Sequence, residues 1–85
     1  MVTVALPPSV NSRGSFTIEE TFDVDDPVKV DLVFYKKNRA GDLDNRIKPV
    51  CDALNAAGLR NIVSITARFK HSDRERTEIM YEVLR

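Results

Sequence analysis

The chain has 85 residues, 42% of them hydrophobic and 31% charged, with 13 basic and 13 acidic side chains and a formal net charge of zero. That balance describes one small globular domain close to the size at which a single core becomes marginal, and it excludes a strongly basic nucleic-acid binder. One cysteine, Cys51, and one histidine, His71, exclude an internal disulfide and a cysteine/histidine metal centre.

No apolar run is long enough to span a bilayer, and the first residues lack a basic stretch followed by an apolar one. A single domain over 1–85, cytoplasmic and free of membrane association, is therefore expected; the lone Cys51 fits a reducing compartment. Charge is unevenly spread. Residues 1–35 carry Arg13 and Lys29 against Glu19, Glu20, Asp23, Asp25, Asp26 and Asp31, a net of about −4. Residues 36–85 come to about +4, and Lys36, Lys37, Arg39, Arg46 and Lys48 crowd together in them.

In chain order, "VTVAL" at 2–6 predicts a short strand stopped by Pro7 and Pro8. "NSRGS" at 11–15 has the composition of a turn. "FTIEETFDV" at 16–24 is compatible with a strand or a short helix. After "DDP", residues 28–35 alternate, with Val28, Val30, Leu32 and Phe34 on one face, and predict a strand. The loop "KKNRAG" follows. Ile47, Val50, Cys51, Leu54 and Ala57 then recur at helical spacing, and Gly58 is a natural stop. Pro49, which lacks an N–H and crowds the preceding turn, restricts the expected regular helix to 49–57, with 44–48 irregular or kinked.

Residues 62–70 alternate again, with Val63, Ile65, Ala67 and Phe69 on one side and Ser64, Thr66, Arg68 and Lys70 on the other. "HSDRER" makes a loop, and 77–84 a last strand in which Ile79, Tyr81 and Val83 align. The final two strands are expected to form an antiparallel hairpin. The predicted class is α+β, one main helix packed on a mostly antiparallel or mixed sheet.

Chemistry concentrates in "GDLDN" at 41–45. Asp42 and Asp44 stand where a loop feeds a helix, and carboxylates there cap orphan N–H groups and meet the positive end of the helix dipole. The same two groups, with Lys48 four residues on, also supply hard oxygen ligands and a cation for a phosphate. These are the parts of a Mg²⁺-assisted phosphodiesterase. Spacing leaves both readings open.

The longer string "DLDNRIKPVCDALNAAGL" at 42–59 resembles the signature of the RusA-type Holliday-junction resolvases, in which D-L-D-N is followed by a lysine and then D-A-L-N. "DPVKVDLVFYK" at 26–36 is similar to that family's preceding strand, and "LPPSVNS" at 6–12 to its N-terminal P-P-S-x-N. The resemblance implies a small homodimeric endonuclease of phage or prophage type, dependent on Mg²⁺ (or Mn²⁺), that cuts four-way DNA junctions by paired nicks. It assigns Asp42 and Asp44 as metal ligands, Lys48 as the essential basic residue and Asn45 to shaping the site, with Asp52 one turn further along.

Two features depart from the family. Its third catalytic aspartate, in a turn after the helix, has no counterpart between Asp52 and Asp73, where Asn61 is the nearest polar residue. "RGSFTIEETFDVDD" is also too short for the family's N-terminal helix. Glu78, Asp73 or Asp31 are the remaining acids able to complete a metal site. For branched DNA as partner, Lys36, Lys37, Arg39, Arg46, Arg68 and Lys70 are the expected phosphate contacts. Cys51 reads as a small hydrophobe on the helix's apolar face and His71 as a solvated loop residue. Tyr35, Phe69 and Tyr81 read as sheet residues, with base stacking the sharper alternative. The competing readings are an active junction endonuclease, a RusA-like domain that binds branched DNA or a protein without cutting, and an unrelated α+β interaction module whose D-L-D-N is a helix start.

Overall fold

The computed structural model describes residues 2–8, 16–37 and 43–84, with Asp44 described by its backbone. Its elements are β1 (Val2–Val4), β2 (Val28–Lys36), α1 (Asp44–Ala57), β3 (Ile62–His71) and β4 (Arg76–Val83). The strands form one mixed sheet in the order β1-β4-β2-β3. Here β2 is parallel to β3 and antiparallel to β4, and β1 is antiparallel to β4. The α+β class expected from the sequence is the observed one.

The segment with the clearest alternation becomes a central strand. Val28, Val30, Leu32 and Phe34 are all at most 1% exposed and form the core with Val50 and Leu54 of α1, Leu59 and Ile79. Burying each such side chain contributes about 1.5–3 kcal/mol. The opposite face of the sheet carries Lys29, Asp31, Tyr35, Arg68, Lys70, Glu78 and Glu82. Val33 is buried among them.

The expected hairpin does not form. β2 lies between β3 and β4, and the 72–75 loop crosses its end, held by the Ser72 N–H donating to the Lys36 carbonyl (2.9 Å). Alternation specifies strands but not neighbours, and the apolar β2 is the strand that gains most from pairing on both edges. The helix expectation is also corrected: α1 is regular from Asp44, with Pro49 inside it. The first turn is closed by the Arg46 and Ile47 N–H groups, both donating to the Leu43 carbonyl (3.0 and 3.3 Å). The burial of Val50, Ala53 and Leu54 holds the helix across the hydrogen bond that Pro49 cannot donate.

Gly58 ends α1 in the left-handed region (φ 116°), its N–H donating to Asn55 O (3.2 Å) and the Leu59 N–H to Leu54 O (3.0 Å), a Schellman arrangement. The undecided stretch 16–24 is neither helix nor strand, apart from a parallel bridge between Val24 and Leu59. It runs over the end of the helix, with the Phe22 N–H on Ala57 O (2.7 Å) and Ile18 buried. The turn expected at 11–15 lies outside the described residues. Among the described residues no helix is long and apolar enough to cross a membrane.

Candidate functional site

A β-strand, a returning helix and a second parallel strand bring the C-terminal ends of β2 and β3 and the N-terminus of α1 to one end of the sheet. In parallel sheets this end is where ligand crevices form. Leu43 and Asp44 of the "GDLDN" stretch begin α1 there. Leu43 precedes the helix with αR backbone angles and no side-chain cap hydrogen bond, and Asp44 is the first helical residue. Asp44 therefore stands in the first turn rather than at the capping position. Asp42 and Arg39 lie outside the described residues.

Lys36, the last residue of β2, continues the core-facing row of Phe34 and is only 4% exposed. Its ammonium lies 4.8 Å from the centroid of the Phe69 ring. Burial pushes this lysine below its usual pKa; the nearby Arg46 adds to that and Glu75 opposes it. Arg46, in the first turn of α1, donates from Nη1 to the Pro7 carbonyl, while its Nε is buried with no hydrogen-bond partner among the described residues. Glu75 comes from the crossing loop and accepts from the Lys37 backbone N–H (3.4 Å). Arg46 and Glu75, from two other segments, thus lie within electrostatic reach of Lys36 at this end of the sheet.

The remaining basic residues do not join them. Lys48 is exposed and pairs with Asp52 (3.2 Å, one helical turn along). Lys37 is exposed at the end of β2. Arg68 and Lys70 are exposed on the sheet's open face, opposite Val33 and Tyr35 in register. The crowd of charges read between 36 and 48 is therefore not one solvated surface: Lys36 is turned inward because it falls on the even, core-facing positions of β2.

On the open face, the Tyr35 hydroxyl donates to Glu78 Oε1 (2.9 Å), and the Arg76 guanidinium stacks 3.8 Å above the Tyr35 ring and reaches Glu78 at 3.5 Å. The bond to Glu78 is the main reason the Tyr35 phenol is held above its usual pKa, with burial second. Arg76 covers the face of Tyr35 that a base would need. Phe69 is packed between Phe34 and Lys36, and Tyr81 stands edge-on to Phe22. Cys51 is half-buried and its thiol is pushed up, first by burial and then by Asp52. His71 is exposed at the end of β3.

Of the acids named to complete a metal site, Asp31 and Glu78 lie on the open face, and Glu78 is committed to Tyr35 and Arg76. Asp73 is exposed in the crossing loop. Glu75 was missed in the sequence. Only the passage of the 72–75 loop over the end of β2, which a hairpin reading hides, brings it to this end. Asn61 stands at the opposite end: its carbonyl accepts from the Val28 N–H (2.9 Å), at the start of β2. A helix of this length separates that turn from Asp44 by about 20 Å. Among the described residues no group of three or more acids, histidines or cysteines converges as a metal site.

The fold and this end of it define a class: a small α+β domain with charged side chains gathered at the C-terminal end of its parallel strands. Compared with protein-family models, curated proteins and solved structures, the chain matches none.

Proposed function

We propose that the domain is a RusA-like, Mg²⁺-dependent endonuclease that cuts branched DNA, the four-way junction being its substrate class, by paired nicks from a homodimer. The observation that carries the reading is the D-L-D-N-x-x-K string at the N-terminus of α1, beside the inward-turned Lys36 and Arg46. Asp42 and Asp44 are the residues that would hold the ion, and Glu75, which accepts from the Lys37 N–H at the same end of the sheet, would be a third donor. Carboxylate oxygens are the donors that Mg²⁺ and Mn²⁺ take, so this donor set fits. Bound there, the ion would neutralise phosphodiester charge and lower the pKa of its water.

The chain's own residues supply the rest. Lys36 and Arg46 hold fixed positive charge next to the helix N-terminus, a combination that favours a phosphate oxygen. Lys48, one turn further along and exposed, is free to exchange Asp52 for a backbone phosphate, since an exposed pair of this kind contributes under about 1 kcal/mol. Arg68 and Lys70 would position a second arm of the junction along the open face.

A second reading, a domain that binds branched DNA or a protein partner without cutting, draws on Asn61. The position where the resemblance expects a third acid lies at the far end of α1, about 20 Å from Asp44, and is a neutral amide in this chain. Cleavage of a synthetic four-way junction with Mg²⁺ or Mn²⁺, beside a linear duplex and the Asp44→Asn variant, separates the two. Symmetric nicking of the junction alone, abolished in the variant, is the expected result. Tight junction binding without nicking would replace the first reading with the second.

A further inference from the structure

The two edges of the sheet are unlike. β1 is three residues long and runs into Pro7 and Pro8, which end any further pairing. β3 is ten residues long, contains no proline, and no described segment pairs with its outer side. The register shift between Val28 and Lys29 leaves Val63 without a partner on β2, so unbroken pairing with β2 runs from Ser64 to His71. Along that run, alternate residues turn their N–H and C=O groups away from β2, unpaired, as at any sheet edge.

The side chains of this run separate by face. Ser64, Thr66, Arg68 and Lys70 stand in register with Lys29, Asp31, Val33 and Tyr35 on the open face, and Ile65, Ala67 and Phe69 with Val30, Leu32 and Phe34 on the helix side. No acid occurs from Ile62 to His71. Arg68 and Lys70 are exposed and enter no ion pair among the described residues, while Glu78 on the same face is held by Tyr35 and Arg76. On the helix side Ile65 is 41% exposed, against 0% for Val30 beside it. The edge is thus cationic on one face and apolar on the other, with open main-chain groups between. A second β3 would bring it the same two cations and no carboxylate.

We propose that the outer edge of β3, over 64–71, takes up an extended acidic segment of a partner protein as a fifth strand, with carboxylates facing Arg68 and Lys70 and apolar side chains beside Ile65 and Ala67. Residues opposite each other across a strand pair share a face and lie about 4.5–5.5 Å apart. A segment alternating acidic and apolar residues therefore answers both rows at once, while the main-chain ladder supplies affinity. A nucleic-acid strand answers only the cationic row: it has no peptide main chain to continue the ladder and no apolar row for Ile65. An acidic strand and a junction arm would compete for Arg68 and Lys70, but strand binding itself needs no nuclease activity.

The probe is an end-blocked, fluorescently labelled eight-residue peptide alternating valine and glutamate, titrated with the full chain and read by anisotropy. It is expected to bind with a dissociation constant below about 100 µM. The same peptide N-methylated at successive central residues, so that neither of its edges keeps its donors, should not bind, and neither should the version with lysine in place of glutamate. A double variant with Arg68→Glu and Lys70→Glu, both at exposed positions, should keep the circular dichroism of the parent. It should lose at least about tenfold in affinity for the glutamate peptide and gain the lysine peptide. Absence of binding by the glutamate peptide would overturn the assignment, as would equal binding of the N-methylated or lysine peptide. Binding of a single-stranded oligonucleotide by a chain that ignores the glutamate peptide would give the edge to nucleic acid instead.

Discussion

Replacing Gly58 by alanine tests how the helix end is locked to the rest of the domain. A Cβ on Gly58 would sit 1.9 Å from the carbonyl oxygen of Phe22, and the backbone there has φ 116°. The conformation alone costs alanine about 1–2 kcal/mol. Relieving the clash requires the 22–24 segment to retreat by more than about 1 Å, since such contacts are ordinarily above 3 Å. That segment is tied by the Phe22 N–H to Ala57 O (2.7 Å), the Val24 N–H to Gly58 O (3.0 Å) and the Arg60 N–H to Val24 O (3.1 Å). Losing two of these at about 1 kcal/mol each brings the total to about 3–4 kcal/mol. A domain of this size has a total stability of roughly 4–13 kcal/mol, so the variant should be largely unfolded in modest urea. Asparagine at the same position separates the two terms. It tolerates the left-handed region but carries the same Cβ, so Gly58→Asn should still lose about 2 kcal/mol, the share set by the clash. Urea titrations of both, read by circular dichroism, give the comparison. Recovery of most of the stability by asparagine, or a loss below about 1 kcal/mol for alanine, would refute the steric account.

Pro49→Ala restores the missing donor to the Asn45 carbonyl within α1 and should stabilise by about 1–3 kcal/mol; an unchanged or lower melting temperature would count against a regular helix across 44–57. Lys48→Ala should cost no more than about 0.5 kcal/mol, because the Lys48–Asp52 pair is exposed and the order Lys-then-Asp is the weaker one on a helix. A loss of junction cleavage in a variant of unchanged melting temperature then reports on phosphate contact rather than folding. Arg60 bonds Asp25 and Asp23, each at 2.5 Å, and the hydrogen bond from Arg60 holds the Asp25 carboxyl below its usual pKa of 3.8. A depressed carboxylate contributes stability above its unfolded pKa and loses it as pH falls through the lower folded one. An NMR titration should therefore show Asp25 protonating below 3.8, and Arg60→Ala should bring it back.

What the sequence made legible was period, and what it hid was adjacency. The alternation of Val28, Val30, Leu32 and Phe34 named the buried face of β2 correctly, and Gly58 marked the end of α1. The alternation of β3 was equally clear, yet Val63 and Ile65 remain exposed, because period does not say which strand takes the edge. Pro49 suggested a shorter helix because its local cost was weighed without the burial of Val50 and Leu54 on the following turn. At the candidate site, the D-L-D-N string and Arg46 were visible. The inward turn of Lys36 followed from its even position in β2, but a charged residue is not ordinarily read as part of a core row. Glu75 was invisible for a topological reason: its place beside Lys37 depends on β2 separating β3 from β4.

The same topology sets a condition on any chemistry at this end. Because β2 and β3 are parallel, α1 must run back along them, and its 14 residues hold the 58–61 turn about 20 Å from Asp44. No substitution at Asn61 can therefore supply a ligand to the "GDLDN" end of the same chain. Extra charge at that end has to come from the 37–43 connection, from the first turn of α1, or from the loop over β2 that carries Glu75. An acid in that loop acts on Lys36 as well as on any bound cation: it already opposes the pKa depression that burial and Arg46 impose on the lysine. Neutralising Glu75 would then remove negative charge from this end and deepen that depression at once. Under the proposed function, the ionisation of Lys36 and the binding of a divalent cation would then depend on the same carboxylate.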